Sequence, residues 1–346
     1  VSETKGSWGA LAAALLVMGA CSSSGTAPRD GSPDATETHD AHDAAALPDG
    51  AAPDQAPEEA PRDAAPTDAT DATDAVQAPS FSLVAPEASL PAGSESDACF
   101  YFHTSPTTNG LKRLTSRLGA GARRLVLMAG AAGQPADGTR TDGPCDPTAG
   151  KGLPTWLYLT TTAEGELQVP ADLALAVGAN APLQMEVHFL NGGTAPIVAG
   201  ARVDAFALQP GTLFKPTYPF VAYNANLRIP ANATNHAASQ TCPSFGLRGF
   251  WRLTTSTHKH AVSTTIKEGT EEVLVSTDWE NPSVASWADT TFRLFPAGFT
   301  YECVYANQTG NEIRAGSSYE NDETCIVFGY MYPASQAAFC VNGTLL

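Results

Sequence analysis

The chain is poor in positive charge. Its 346 residues carry 19 Lys+Arg against 36 Asp+Glu, a formal net charge of −17. Nucleic-acid binding depends on clustered cations that release counterions, so that class is excluded. Long apolar runs are missing too. No stretch reaches the roughly 18 consecutive apolar residues that a spanning helix needs. None of the seven cysteines forms a Cys-x-x-Cys pair, which argues against a zinc ribbon or a thioredoxin-like motif. P-loop and dinucleotide fingerprints are absent. So is the Gly-x-Ser-x-Gly elbow of a serine hydrolase.

What is present begins with an export signal. Lys5 precedes the apolar run Trp8–Met18, and small residues follow it. That is a signal-peptide layout. The run ends in Met18-Gly19-Ala20-Cys21, which resembles a bacterial lipobox with Met where Leu is usual. Residues 1–21 therefore read as a lipoprotein signal with Cys21 as the lipidated residue, the alternative being a plain secretory signal. Ser22 after the cysteine resembles lipoproteins sorted to the outer membrane. Residues 22–80 are rich in Ala, Pro, Asp and Thr and hold −11 of the net charge. Such a segment cannot bury enough surface to offset its chain entropy, so it reads as a disordered acidic tether.

From Phe81 onward the apolar runs are short and punctuated by Gly, Pro, Asn and Thr. Examples are residues 124–128, 183–190, 249–254, 272–276, 299–305 and 324–330. Stripes at helical spacing are missing. The pattern predicts an all-β body of two tandem antiparallel sandwiches, jelly-roll-like, over 81–208 and 209–346. Cys99, Cys145, Cys242, Cys303, Cys325 and Cys340 are an even set in an exported chain and can close three disulfides.

Two histidine motifs carry chemistry. In Thr257-His258-Lys259-His260-Ala261, a strand would project His258 and His260 from one face, where imidazoles can share a metal. The simpler reading is two surface histidines. His188, in Met185-Glu186-Val187-His188-Phe189-Leu190, is either a ligand or a hydrogen-bonded core histidine.

Taken in order, these pieces resemble the copper type II, ascorbate-dependent monooxygenases, the family of peptidylglycine α-hydroxylating and dopamine β-monooxygenases. The resemblance runs from about Ser96 to Pro333 and is clearest after Cys242. His258-Lys259-His260 resembles the family's His-x-His motif, and Asn281-Pro282 follows at the family's spacing. Residues 299–307 with Cys303, then Gly316-Ser317, Asp322-Glu323-Thr324-Cys325 and Tyr330-Met331-Tyr332-Pro333, resemble its closing segment. Met185–Asn191 resembles its Gln-Val-His-Tyr strand.

The resemblance implies disulfides Cys99–Cys145, Cys242–Cys340 and Cys303–Cys325. It also implies two copper sites facing each other across an interdomain cleft, one delivering electrons from ascorbate and one hydroxylating a C–H bond with O2. The ligands carry over incompletely. His258 and His260 match the hydroxylating site, but its Met ligand falls at Thr324, a hard donor in place of a soft one. His188 matches the electron-transfer site, whose paired histidines fall at Arg123 and Arg124; guanidinium has no lone pair to give. His103, Met331 and Glu323 are poor substitutes. The positions that clamp a peptide carboxylate fall at Ser256, Ile326 and Phe328, which cannot do so.

The resulting expectation is an exported, lipid-anchored monomer that keeps the fold with one copper site or none, ascorbate mattering only if it is active. The alternative is a metal-free surface module that holds a small molecule or surface partner in the cleft, with Arg123 and Arg124 as an anion-binding spot.

Overall fold

A computed structural model of the protein describes residues 77–148, 155–288 and 291–346. The signal segment, Cys21 and the tether as far as residue 76 lie outside the described residues. Every regular element described is a β-strand. The short, turn-bounded runs of the sequence become strands Ala122–Ala129, Pro182–Leu190, Gly249–Ser256, Glu271–Ser276, Phe299–Tyr305 and Ile326–Tyr332.

The first half stacks two layers. One is a five-stranded sheet in the order Arg140–Asp142, Glu95–His103, Pro182–Leu190, Ala122–Ala129, Trp156–Thr160. The facing layer contains Phe81–Leu90, Ile197–Ala207 and Leu111–Leu118. Leu83, Leu114 and Val203 of that layer share a core with Leu125, Val187 and Phe100 of the other. The second half repeats the arrangement. A four-stranded sheet, His236–Cys242, Phe299–Tyr305, Ala261–Glu268, Glu271–Ser276, packs on the layer of Lys215–Tyr223, Ile326–Tyr332 and Gly249–Ser256. Its core is aromatic: Phe220, Phe245, Phe250 and Phe299 meet mostly edge to face at 5.0–6.1 Å, the favoured arrangement for ring quadrupoles.

The halves are joined. Leu173–Leu175 pairs in parallel with Lys215–Thr217, so one 12-stranded sheet runs through both. This and the parallel pairing of Phe220–Tyr223 with Ala338–Val341 depart from a wholly antiparallel plan. Trp251, Ile326, Phe328 and Tyr330 of the second half belong to the first half's core. Residues 78–346 cluster as one unit.

All six described cysteines are bridged: Cys99–Cys145, Cys242–Cys340 and Cys303–Cys325. These are the pairings the family resemblance implies. Cys303–Cys325 staples a strand of one layer to the segment that leads into a strand of the other.

Candidate functional site

Sheet register builds the site. Pro182–Leu190 is buried almost throughout because it is the central strand of its sheet, flanked on both sides. In that register Asp97 lies opposite His188 on one side and Arg124 opposite His188 on the other. Residues two apart share a face, so Glu95 joins Asp97 and Glu186 joins His188. A polar face of Glu95, Asp97, Glu186, His188 and Arg124 therefore forms inside an otherwise apolar sheet.

The face is an interlocked ion network. Arg124 donates to Glu186 at 3.1 Å and lies 4.0 Å from Asp97. Glu186 also accepts the Cys145 N–H at 3.0 Å. His188 Nδ1 is 2.8 Å from Asp97. Its Nε2 is 3.0 Å from Glu95 Oε1, a close charge contact whose direction falls outside hydrogen-bond geometry. Burial opposes the His188 cation, but Asp97 and Glu95 outweigh it and push the pKa up. Burial likewise opposes Glu95 ionisation, yet His188, Ser318 and the Tyr319 N–H hold its pKa at about 2. Arg124 resists deprotonation: burial pulls its pKa down, and Glu186, Tyr319 and Asp97 push it up further. Burial dominates at Glu186 and raises it despite Arg124.

The second half closes over this face with an aromatic ring. Tyr319 stacks on His188 at 4.7 Å and on His258 at 3.9 Å, with interplanar angles of 27° and 24°. Relative exposures of 1% for His188 and 0% for His258 and Tyr319 leave no solvent in the stack. Glu95 fixes the Tyr319 segment by accepting from its backbone N–H and, at 2.8 Å, from Ser318 Oγ. The Tyr319 hydroxyl is buried without a partner. The expected cleft between His188 and His258 is thus corrected to a filled contact.

The His-x-His motif is not on a strand. Residues 257–260 turn between Gly249–Ser256 and Ala261–Glu268. The reason is Glu323. Its carboxylate accepts the N–H groups of His258 at 2.9 Å, His260 at 2.7 Å and Thr324 at 3.2 Å, which bends the chain out of extension. Burial nevertheless pushes Glu323 up to about 7 against those donors. His258 donates from Nδ1 to the Asp322 carbonyl at 3.1 Å, so its Nε2 carries the lone pair; that atom is buried and unpartnered. Burial first and the Arg124 charge second lower its pKa to about 3. His260 Nε2 is also buried without a partner, and burial with Lys259 lowers its pKa.

These contacts test the copper ligands one by one. Around His188, which the resemblance likens to an electron-transfer ligand, the surroundings do not suit a metal. Both His188 nitrogens face carboxylates, and Arg124 occupies the neighbouring register. Arg123, the other substituted position, pairs with Glu280 at 3.1 Å. Arg123 and Arg124, read from the sequence as an anion-binding spot, both face carboxylates. Where the resemblance implies a hydroxylating site, His258 and His260 each have an Nε2 with no hydrogen-bond partner among the described residues. Thr324 does not join them, since its hydroxyl donates to the Ser256 carbonyl at 3.3 Å. Glu323 is spent on backbone N–H groups. Met331 lies in the second core, and His103 is paired with Asp137 at the surface. Among the described residues no group of three or more His, Cys, Asp or Glu is placed to hold a metal. Sequence reasoning missed Tyr319, Glu95 and Asp97. Glu186 and His188 at i and i+2 in an apolar run were a visible signal of a buried polar face.

No family model matches the sequence, and no curated protein matches it. Among solved structures the chain is similar to the major capsid protein P2 from Bacteriophage PM2, with 7% identity, 71% of this chain and 97% of that one covered, and a TM-score of 0.32. A likeness that faint carries no argument about function.

Proposed function

We propose that this chain is an exported, lipid-anchored protein built like the copper monooxygenases that does not carry out their two-copper hydroxylation. The observation that carries this reading is the network at the electron-transfer position. An Arg–carboxylate–His assembly capped by Tyr319 stands where that reaction would need three neutral imidazoles. The free nitrogens of His258 and His260 support one residual copper site. Copper bound there would supply one-electron chemistry; the chain's own part is to orient two imidazoles through Glu323 and Asp322.

Bound copper per molecule of the full chain tests this, with and without His258→Ala plus His260→Ala. The expected result is no more than one copper, lost in the double variant, with no ascorbate-dependent O2 uptake. Two coppers per chain, or ascorbate-driven uptake, would overturn it.

A second reading, a binding module acting through a groove between the halves, is favoured by one feature. A cavity of about 190 Å³ lies where Tyr158–Leu167 of the first half meets Arg252–Thr255 and Pro282–Val284 of the second.

A further inference from the structure

We infer that this groove binds a compact monocarboxylate with an apolar body, held by Arg252; the inference rests on the second reading above and gives it a ligand class. Arg252 is the one Lys or Arg among the residues that line the groove. Its guanidinium donates to the Glu166 backbone carbonyl at 3.2 Å and takes part in no ion pair among the described residues. By contrast Arg113 lies 3.7 Å from Glu166 and Arg117 lies 3.6 Å from Glu164. Glu164 and Glu166 also line the groove, but each has an arginine of its own. Of these three arginines Arg252 is the one with no ion-pair partner among the described residues. It is half-buried, and the Glu166 carbonyl is the acceptor its guanidinium meets among the described residues. A carboxylate supplies the missing charge and matches the planar fork.

The rest of the lining restricts the ligand. Thr161, Thr162 and Thr254 spend their hydroxyl protons on the backbone carbonyls of Glu280, Glu164 and Ser283 at 3.2, 2.8 and 3.0 Å. They therefore have no hydroxyl proton left to donate to a second anionic group. Val284, nearly half exposed, supplies apolar surface, and the buried rings of Phe328 and Tyr330 lie behind the lining. Tyr330 is fixed in place: it stacks on Trp251 at 4.6 Å and donates to the Leu157 carbonyl at 3.0 Å. The pocket is thus formed before a ligand arrives, which spares the cost of ordering it. Its volume, about 190 Å³, exceeds the roughly 150 Å³ apolar cavity known to take benzene and falls below the usual drug-sized range. One ring bearing one carboxylate fits.

Benzoate and its neutral counterpart benzyl alcohol are the probes, titrated by ligand-observed NMR against the full chain. Benzoate should bind, and Arg252→Met should weaken it about tenfold or more, the loss expected for a charge-assisted hydrogen bond. Benzyl alcohol should bind more weakly and ignore that substitution. Val284→Trp, at a half-exposed position on the groove, keeps Arg252 and the fold and should abolish both. If both probes bind, both are lost in Val284→Trp and neither responds to Arg252→Met, the groove is a binding site but the carboxylate inference is wrong. If neither probe binds at millimolar concentration, the inference and the binding-module reading fall together.

Discussion

Tyr319 concentrates the physical oddities of the site into one side chain. Its ring fills the space between two imidazoles, and its hydroxyl is buried with no partner. The two parts have opposite effects on stability. Face-to-face ring contact with its buried neighbours is worth keeping, whereas an unpaired buried hydroxyl costs about 1–3 kcal/mol. Tyr319→Phe should therefore be neutral or stabilising in urea unfolding, by up to about 1 kcal/mol. Tyr319→Ala should cost about 3–5 kcal/mol, the range for deleting a buried ring. A large loss in Tyr319→Phe would show that the hydroxyl has a partner and that the stack is not what holds the residue. The position was hard to foresee. Gly316-Ser317-Ser318-Tyr319 reads as a turn followed by an aromatic, and nothing local says that the ring enters between histidines 61 and 131 positions away in the chain.

At the level of elements, the strand pair Glu95–His103 and Pro182–Leu190 places a histidine against two carboxylates. Glu95 faces His188, Ser318 and Tyr319; Asp97, Arg124 and Glu186 complete the surroundings. Its folded pKa, about 2, is below the ordinary 4.5. A depressed carboxylate contributes stability that is present above its unfolded pKa and lost as pH falls through the folded one. Stability should therefore drop between pH 4.5 and about 2. His188 has the opposite sign: its raised pKa helps below its ordinary value and is lost at higher pH. In Glu95→Gln the acid limb should flatten, measured as denaturant midpoint against pH; an unchanged limb would mean that other carboxylates carry it. The strands themselves were legible from short apolar runs and turn residues, and so was the all-β class. The His-x-His geometry was not. Spacing alone makes i and i+2 cofacial only in an extended chain, and here the distant Glu323 carboxylate captures both backbone N–H groups and turns the segment.

Across the whole molecule, a sequence that reads as two sandwiches has folded with its halves interleaved. Features that cross the boundary include the parallel pairing of Leu173–Leu175 with Lys215–Thr217, the Tyr319 stack, and Trp251, Phe328 and Tyr330 in the first core. Glu280 adds a rim contact, pairing with Arg123 and accepting from Thr161. Separate domains joined by a linker unfold separately when their interface is small and polar. Here the interface is apolar and part of a core, so neither half keeps its burial when the other opens. Urea unfolding of the disulfide-intact chain should then be one transition, with tryptophan fluorescence and far-ultraviolet circular dichroism coincident. Trp251 makes the test sensitive, because it belongs to the second half by sequence yet packs in the first half's core. Loss of the Tyr319 ring removes one of the crossing features without touching the others. In Tyr319→Ala the two signals should begin to separate. If the wild-type signals already separate, the shared sheet and core do not couple the halves, and the groove at Arg252 would have to be treated as an interface that opens.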